Sequence, residues 1–318
     1  QFYYHKIDLA ENMLIVNEQE KATRYYDSAF AKNKKPFAKD IFNAFIANIN
    51  IQHYDKALPL YKRLLNLGIK QSYLPENEKM TSFFNTYSQQ LNSYKPVTTF
   101  NKALIDTLNK LFAIDQFHRT DYTKYKAEIK TDDSICGIRL LNLINKFGFP
   151  DDYSIGIESA SMLDHHFYYI IWHQGTSRQT NFTHVLLNAV NNGKIEAHTA
   201  ASLIDKYYGS PVFSTEGVTQ LKYEKENMDS CCYVLDFTKA TKSEQDLIAQ
   251  YDAKRKLLGM ESLEANQKKA IFKYKKTSYI FPQYYWGGYN LYRLGSKDFF
   301  NQYPFWKMKN INNDINSK

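Results

Sequence analysis

The chain has 318 residues, 43% of them hydrophobic and 23% charged, a globular balance that excludes a disordered chain and a fibrous repeat. The net charge of +8 is modest for this length and gathers at one end, which does not point to nucleic acid as a partner. Low glycine and proline counts (12 and 8) beside 16% aromatics predict many helices and few loops, and no apolar run approaches the ~18 residues of a membrane-crossing helix.

Residues 1–75 read as helical hairpins. Ala22, Tyr26 and Ala29 lie at helical spacing, and the Ala-Tyr pair recurs 35 residues later as Ala57 and Tyr61. A period near ~34 residues marks tetratricopeptide repeats, in which a small alanine lets two helices approach closely. Pro36 falls between the two units, where it can open the next helix, and Gly68 supplies a helix stop. The stretches Ala22 to Phe30 and Pro36 to Ala44 resemble the tetratricopeptide-like N-terminal region of exported bacterial proteins. Such repeats stack into concave surfaces that bind peptides or proteins.

Residues 76–98 are rich in Asn, Ser, Thr and Gln between Pro75 and Pro96, and read as a linker. A helical domain spans 99–271. Its first helix carries the stripe Leu104, Leu108, Leu111 and Phe112, and continues into Asp115, Gln116 and Arg119. Asp115 and Arg119 share a face at i,i+4. An apolar helix from Ile138 to Phe147 stops at Gly148-Phe149-Pro150, with Asp151, Asp152 and Ser154 as turn residues.

Histidines cluster next, at His165, His166, His173 and His184. On one unbroken helix, His166, His173 and His184 would line one face, but Gly175 and the polar run Thr176 to Asn181 argue for a break. No His-x-x-x-His or His-Glu-x-x-His spacing is present, so no metal site is expected and the histidines read as packed helix residues. The three cysteines, Cys136, Cys231 and Cys232, cannot form a complete disulfide set; they read as buried thiols, with a bridge from Cys136 to one of the pair as the alternative. There is no nucleophile elbow, Walker loop or Gly-x-Gly-x-x-Gly, so no cofactor is expected.

Asp115-Gln116-x-x-Arg119, Gly148-Phe149-Pro150, Gly156 and His173-Gln174, the last a Gln-His motif in reversed order, together resemble a helical bacterial domain family of unknown function. The later motifs are weaker: Asp205-Lys206, Thr215 to Gln220, and the turn Leu258-Gly259-Met260. The resemblance implies a polar cluster of Asp, Gln, Arg and His. Were it catalytic, Asp115 or His173 would be the general base, Arg119 would hold an anionic group, and Gln116 and Gln220 would orient the substrate. The departures in the later motifs favour a scaffold over a working site.

From Phe272 onward the chain holds fourteen aromatics, and eight basic residues against two acids. Tyr285, Trp286, Tyr289, Phe305 and Trp306 make this basic aromatic extension, 272–318, a candidate docking strip for a protein partner, or a cover for the chain's own helices. The expected architecture is therefore mainly α: tetratricopeptide-like hairpins, a helical domain and an aromatic extension. The expected function is a non-catalytic accessory subunit of a bacterial cell-envelope or outer-membrane complex. The alternatives are a hydrolase or transferase built on Asp115, Gln116, Arg119 and His173, and a glycan-binding module using Trp286 and Trp306. A start at Gln1 fits an exported protein of the periplasm or cell surface of a Gram-negative bacterium, with its signal peptide removed.

Overall fold

The computed structural model describes residues 2–209, 212–213, 233–235, 237, 240–274, 278–281 and 308–310. Among these the chain is mainly α-helical, with fourteen α-helices and two short strands. The first layer is built from α1 (Phe2–Ile15), α2 (Gln19–Lys32), α3 (Ala38–Asn50) and α4 (Tyr54–Asn66), each packed on the next. The repeated residues sit where helices cross: Ala22, Tyr26 and Ala29 on α2, and Ala57 and Tyr61 on α4, are all buried. Gly68 follows α4 at φ +82°, a left-handed conformation suited to glycine.

Helix α3 is buried along its whole length except its last residue. A helix enclosed on every side is expected to be apolar all round, yet α3 carries Lys39, Asp40, Asn43 and Asn48, so each needs an internal partner. Asn43 finds one in the C-terminal segment. Its Nδ2 donates to Ile280 O at 2.6 Å and its Oδ1 accepts from Ile280 N at 2.7 Å. Beside it, Asn50 donates to the Tyr279 hydroxyl at 2.9 Å. Tyr279, Ile280 and Phe281 are thereby buried in the core of the N-terminal helices.

The polar stretch read as a linker folds into α5 (Glu78–Thr86) and α6 (Ser88–Asn92). Asn77 caps α5 by accepting from Met80 N at 3.0 Å. Met80 and Phe83 turn inward, and Phe83 packs against Phe45, Tyr54 and Tyr61. Its polar composition belongs to its outer face; Met80 and Phe83, with Phe84, Tyr87 and Leu91 packed beside them, seat it on the first core.

A second core follows. It is formed by α7 (Lys102–Phe117), α8 (Lys126–Phe147), the short α9 (Asp152–Ile155), α10 (His166–Ser177), α11 (Thr183–Asn191) and α12 (Ala197–Tyr208). Leu104, Leu108 and Leu111 form the buried stripe expected of α7. Helix α8 begins at Lys126, well before the expected Ile138. The histidine-rich segment is two helices, because Arg178 leaves α10 in a left-handed conformation at φ 51°. Gly175 does not break α10. It lies inside the helix, where a Cβ would stand 2.6 Å from Lys206 Cγ and 2.8 Å from Lys206 O, and so lets α10 and α12 approach closely. Strands β1 (Tyr233–Leu235) and β2 (Met308–Asn310) pair antiparallel, Val234 opposite Lys309.

Helices α13 (Lys242–Leu257) and α14 (Leu263–Tyr274) complete the described helices, and α14 returns to pack on α1. A run of buried charges joins the two cores. Lys39 Nζ lies 2.8 Å from Glu11 and 2.8 Å from Asp40; Lys269 Nζ lies 2.6 Å from the other Glu11 oxygen, 2.8 Å from Asp8 and 3.5 Å from Glu261. Glu261 accepts from His198 at 2.9 Å, and His198 reaches Glu196 at 3.2 Å. Asn43→Ala would leave both backbone polar groups of Ile280 buried without a partner. The expected loss is about 2–4 kcal/mol of unfolding free energy, read by urea titration; a loss below about 0.5 kcal/mol would mean that segment 278–281 contributes little to the fold.

Candidate functional site

Three helices of the second core bring the polar motif residues together. Asp115 closes the buried stripe of α7, and His173 lies on α10 seven residues after His166. Both histidines face α7: His166 stacks on Phe112 at 4.8 Å, and His173 Nδ1 lies 3.0 and 2.8 Å from the two Asp115 oxygens. His184, on α11, is exposed and does not join them. Arg119 stands in the 3₁₀ turn after α7. Its Nε donates to Asp115 O at 2.9 Å and its Nη2 to Asp115 Oδ1 at 3.4 Å, and Nη2 also donates to Asp133 Oδ1 on α8. Gln116 Nε2 donates to Asp115 Oδ2 at 2.7 Å.

The structure thus converges Asp115, Gln116, Arg119 and His173, and adds two residues that were outside the candidate catalytic set. Asp133 is one. The other is Gln174, fully buried, which donates to Asp133 O at 2.9 Å and accepts from Thr180 N at 3.1 Å. Gly137 makes room for it, since a Cβ there would meet the Gln174 amide at 2.9 Å. Asp133 was readable. Ile129, Cys136, Leu140 and Ile144 form the buried stripe of α8, and Asp133 is the charged residue inside it.

The roles differ from those expected. The Arg119 Nη2 and Nε face two carboxylates and a carbonyl, so the residue organises acids rather than presenting its fork to an anion. Gln116 directs its amide to Asp115 rather than outward. Burial pushes the Asp115 carboxyl up, but the His173 hydrogen bond, the charges of His173 and Arg119 and the Gln116 amide outweigh it and leave Asp115 below its ordinary range. At Asp133, burial prevails over Arg119 and holds the carboxyl above its ordinary value. An ionised Asp115 accepts, so His173 Nδ1 carries the proton, and in the neutral ring Nε2 holds the lone pair. Nε2 makes no hydrogen bond among the described residues, and the His173 side chain is 16% exposed.

One ligand atom each from Asp115, Asp133 and His173 lies within 4.8 Å of the others, a set able to hold a metal ion. The Arg119 guanidinium already bridges the two carboxylates, supplying the positive charge that such a cation would bring. Cys136 is a free, buried thiol behind the cluster; burial pushes it up to about 12, which leaves it unreactive. Cys231, Cys232, the Thr215 to Gln220 motif and the candidate docking residues Tyr285, Trp286, Tyr289, Phe305 and Trp306 lie outside the described residues.

Two further histidines are clamped at both nitrogens. His165 sits between Asp152 at 3.1 Å and Glu158 at 3.2 Å, and His198 between Glu196 and Glu261. Burial alone would lower both; for His165 the carboxylate hydrogen bonds, and for His198 the carboxylate charges, overcome it and push each to about 9. The same contacts hold Glu196 at about 2 against the effect of burial. The chain matches no family model, no curated protein and no solved structure.

The clamps set a pH window. Each imidazolium, raised from 6.5 to about 9, contributes stability that is fully present below pH 6.5 and lost as the pH rises through 9. Glu196, lowered from 4.5 to about 2, contributes stability present above pH 4.5 and lost as the pH falls through 2. Unfolding free energy should therefore plateau between pH 4.5 and 6.5 and fall by about 3 kcal/mol per histidine on the alkaline side. In His198→Gln that alkaline fall should shrink by about half; an unchanged alkaline limb would remove His198 as its source.

Proposed function

We propose that this chain is a hydrolase or transferase whose acid–base centre is the Asp115–His173 pair. The observation that carries the reading is the free lone-pair nitrogen of His173, held in one orientation by a buried carboxylate. Asp115 fixes the tautomer and stabilises the imidazolium that forms when Nε2 takes a proton from water or a substrate hydroxyl. Arg119 and Gln116 keep Asp115 ionised and fixed. Asp133 shares the Arg119 guanidinium and sets its position. Three acids with one arginine nearby (Asp115, Asp132 and Asp133 beside Arg119) disfavour a strongly anionic substrate, so a neutral ester, amide or glycoside fits better.

The test is a panel of neutral chromogenic esters, amides and glycosides assayed with the full chain and with His173→Asn. Turnover by the native chain that falls about 10²–10⁴-fold in the variant, with its unfolding midpoint kept, supports the centre. No turnover across the panel, or equal turnover by both, overturns it.

The interaction reading stands as a second proposal, carried by the matched burial of Ala22 with Ala57 and Tyr26 with Tyr61 in neighbouring hairpins. A stacked pair of this kind presents a helical surface suited to an accessory subunit of an envelope complex. Tagged protein recovered from its native envelope in mild detergent should then bring stoichiometric companions, identified by mass spectrometry. Recovery as a lone species would leave the acid–base reading unopposed.

A further inference from the structure

A cleft lies between the two cores, away from the Asp115–His173 pair. It is narrow and open to solvent. Its lining includes Lys39 of α3, Tyr168 of α10, Lys194 before α12, and Thr199 of α12.

The hydrogen-bonding inventory of the lining is one-sided. Its two carboxylates are engaged at every oxygen. Asp152 accepts from His165 Nε2 at 3.1 Å and from Ala38 N at 3.0 Å. Glu196 accepts from His198 Nδ1 at 3.2 Å, and from the backbone N–H groups of His198 and Thr199 at 2.9 and 3.3 Å. The donors are not exhausted. Lys39 Nζ has three protons and two acceptors, Glu11 and Asp40. Lys194 Nζ meets Asp151 at 2.6 Å and has two protons left. The hydroxyl of Tyr168 and Thr199 Oγ1 make no hydrogen bond among the described residues, and neither atom is sealed from solvent.

We infer that this cleft is a binding site for a small oxyanion, a carboxylate or phosphate group, held by Lys39, Lys194, Tyr168 and Thr199. Spare donors on two ammonium groups and two hydroxyls, with the acceptors beside them already engaged, select a ligand made of acceptors and negative charge. The cleft admits only a small group, either a free ion or the charged end of a larger molecule reaching in from solvent. The site is separate from the acid–base centre: His165 at its edge precedes His173 by eight residues, about 12 Å along α10.

The experiment is calorimetric and thermal-shift titration of the full chain with sodium phosphate, sodium acetate and sodium chloride at constant ionic strength. Saturable binding of phosphate or acetate, with no response to chloride, is expected. Phosphate alone assigns a phosphate site, and acetate with other carboxylates assigns a carboxylate site. Lys194→Met should weaken binding at least about tenfold, the effect of losing one charge-assisted hydrogen bond. Tyr168→Phe should weaken binding while leaving the ligand-free unfolding midpoint equal or higher, because the hydroxyl it removes has no internal partner. An absence of saturable binding in the millimolar range overturns the inference. So does binding that survives both substitutions, or a Tyr168→Phe variant that loses stability but keeps its affinity.

Discussion

The buried charge chain from Asp40 through Lys39, Glu11, Lys269 and Glu261 to His198 and Glu196 is the constraint on which the rest depends. It runs from α3 through α1 to α14 and on to α12, so it crosses from the first core to the second. Each charge is removed from water, which costs several kcal/mol per ion unless its partners are well placed. Removing one member strands its neighbours. Such a chain is a weak source of net stability but a strong source of register: only one docking of α14 and α12 against α1 and α3 satisfies every member. The raised His198 and the lowered Glu261 express that mutual dependence.

From this docking the geometry of the second core follows. α12 is held through Glu196 and His198, and α10 lies against α12 at Gly175, where the absence of a Cβ allows contact with the Lys206 backbone. α10 in turn presents Gln174 to α8 and His173 to α7. The orientation of His173 is therefore fixed from two sides, by Asp115 in front and by the α12 packing behind. The oxyanion cleft depends on the same docking, since Lys39 comes from the first core and Tyr168 and Thr199 from the second.

Much of this was legible in the sequence, for a definable reason. Asp115 occupies the next position of the Leu104, Leu108, Leu111 stripe, and a charge on an apolar face must be partnered. Asp133 on α8 and Gln174 beside Ile170 and Ile171 on α10 carry the same signal, yet neither announces which helix it will meet. That pairing is a property of the helix crossing, which periodicity does not contain. Segment 78–92 illustrates the opposite error: its composition is that of a loop, but an asparagine cap and two inward residues, Met80 and Phe83, fix it against an aromatic cluster. The burial of Tyr279 to Phe281 in the first core was hidden for a similar reason, because the matching partner, Asn43, is more than two hundred residues away.

Four described histidines, His118, His165, His173 and His198, face carboxylates in buried or half-buried settings, and their remaining valence separates them. His165 and His198 each donate from both ring nitrogens, so their charge is consumed in holding elements together and neither can exchange a proton without loosening the fold. His118 and His173 bond through Nδ1 alone among the described residues, and of the two only His173 is held by a fully buried carboxylate. Its second nitrogen can accept and release a proton while Asp115 keeps the ring in place, and nothing structural depends on that nitrogen's state. The same criterion picks out the cleft, where Tyr168 and Lys194 retain donors that folding left unused. In a protein with this many internal ion pairs, chemistry is to be sought at the polar atoms that the fold has left unsatisfied, because the satisfied ones are already committed to keeping the two cores in register.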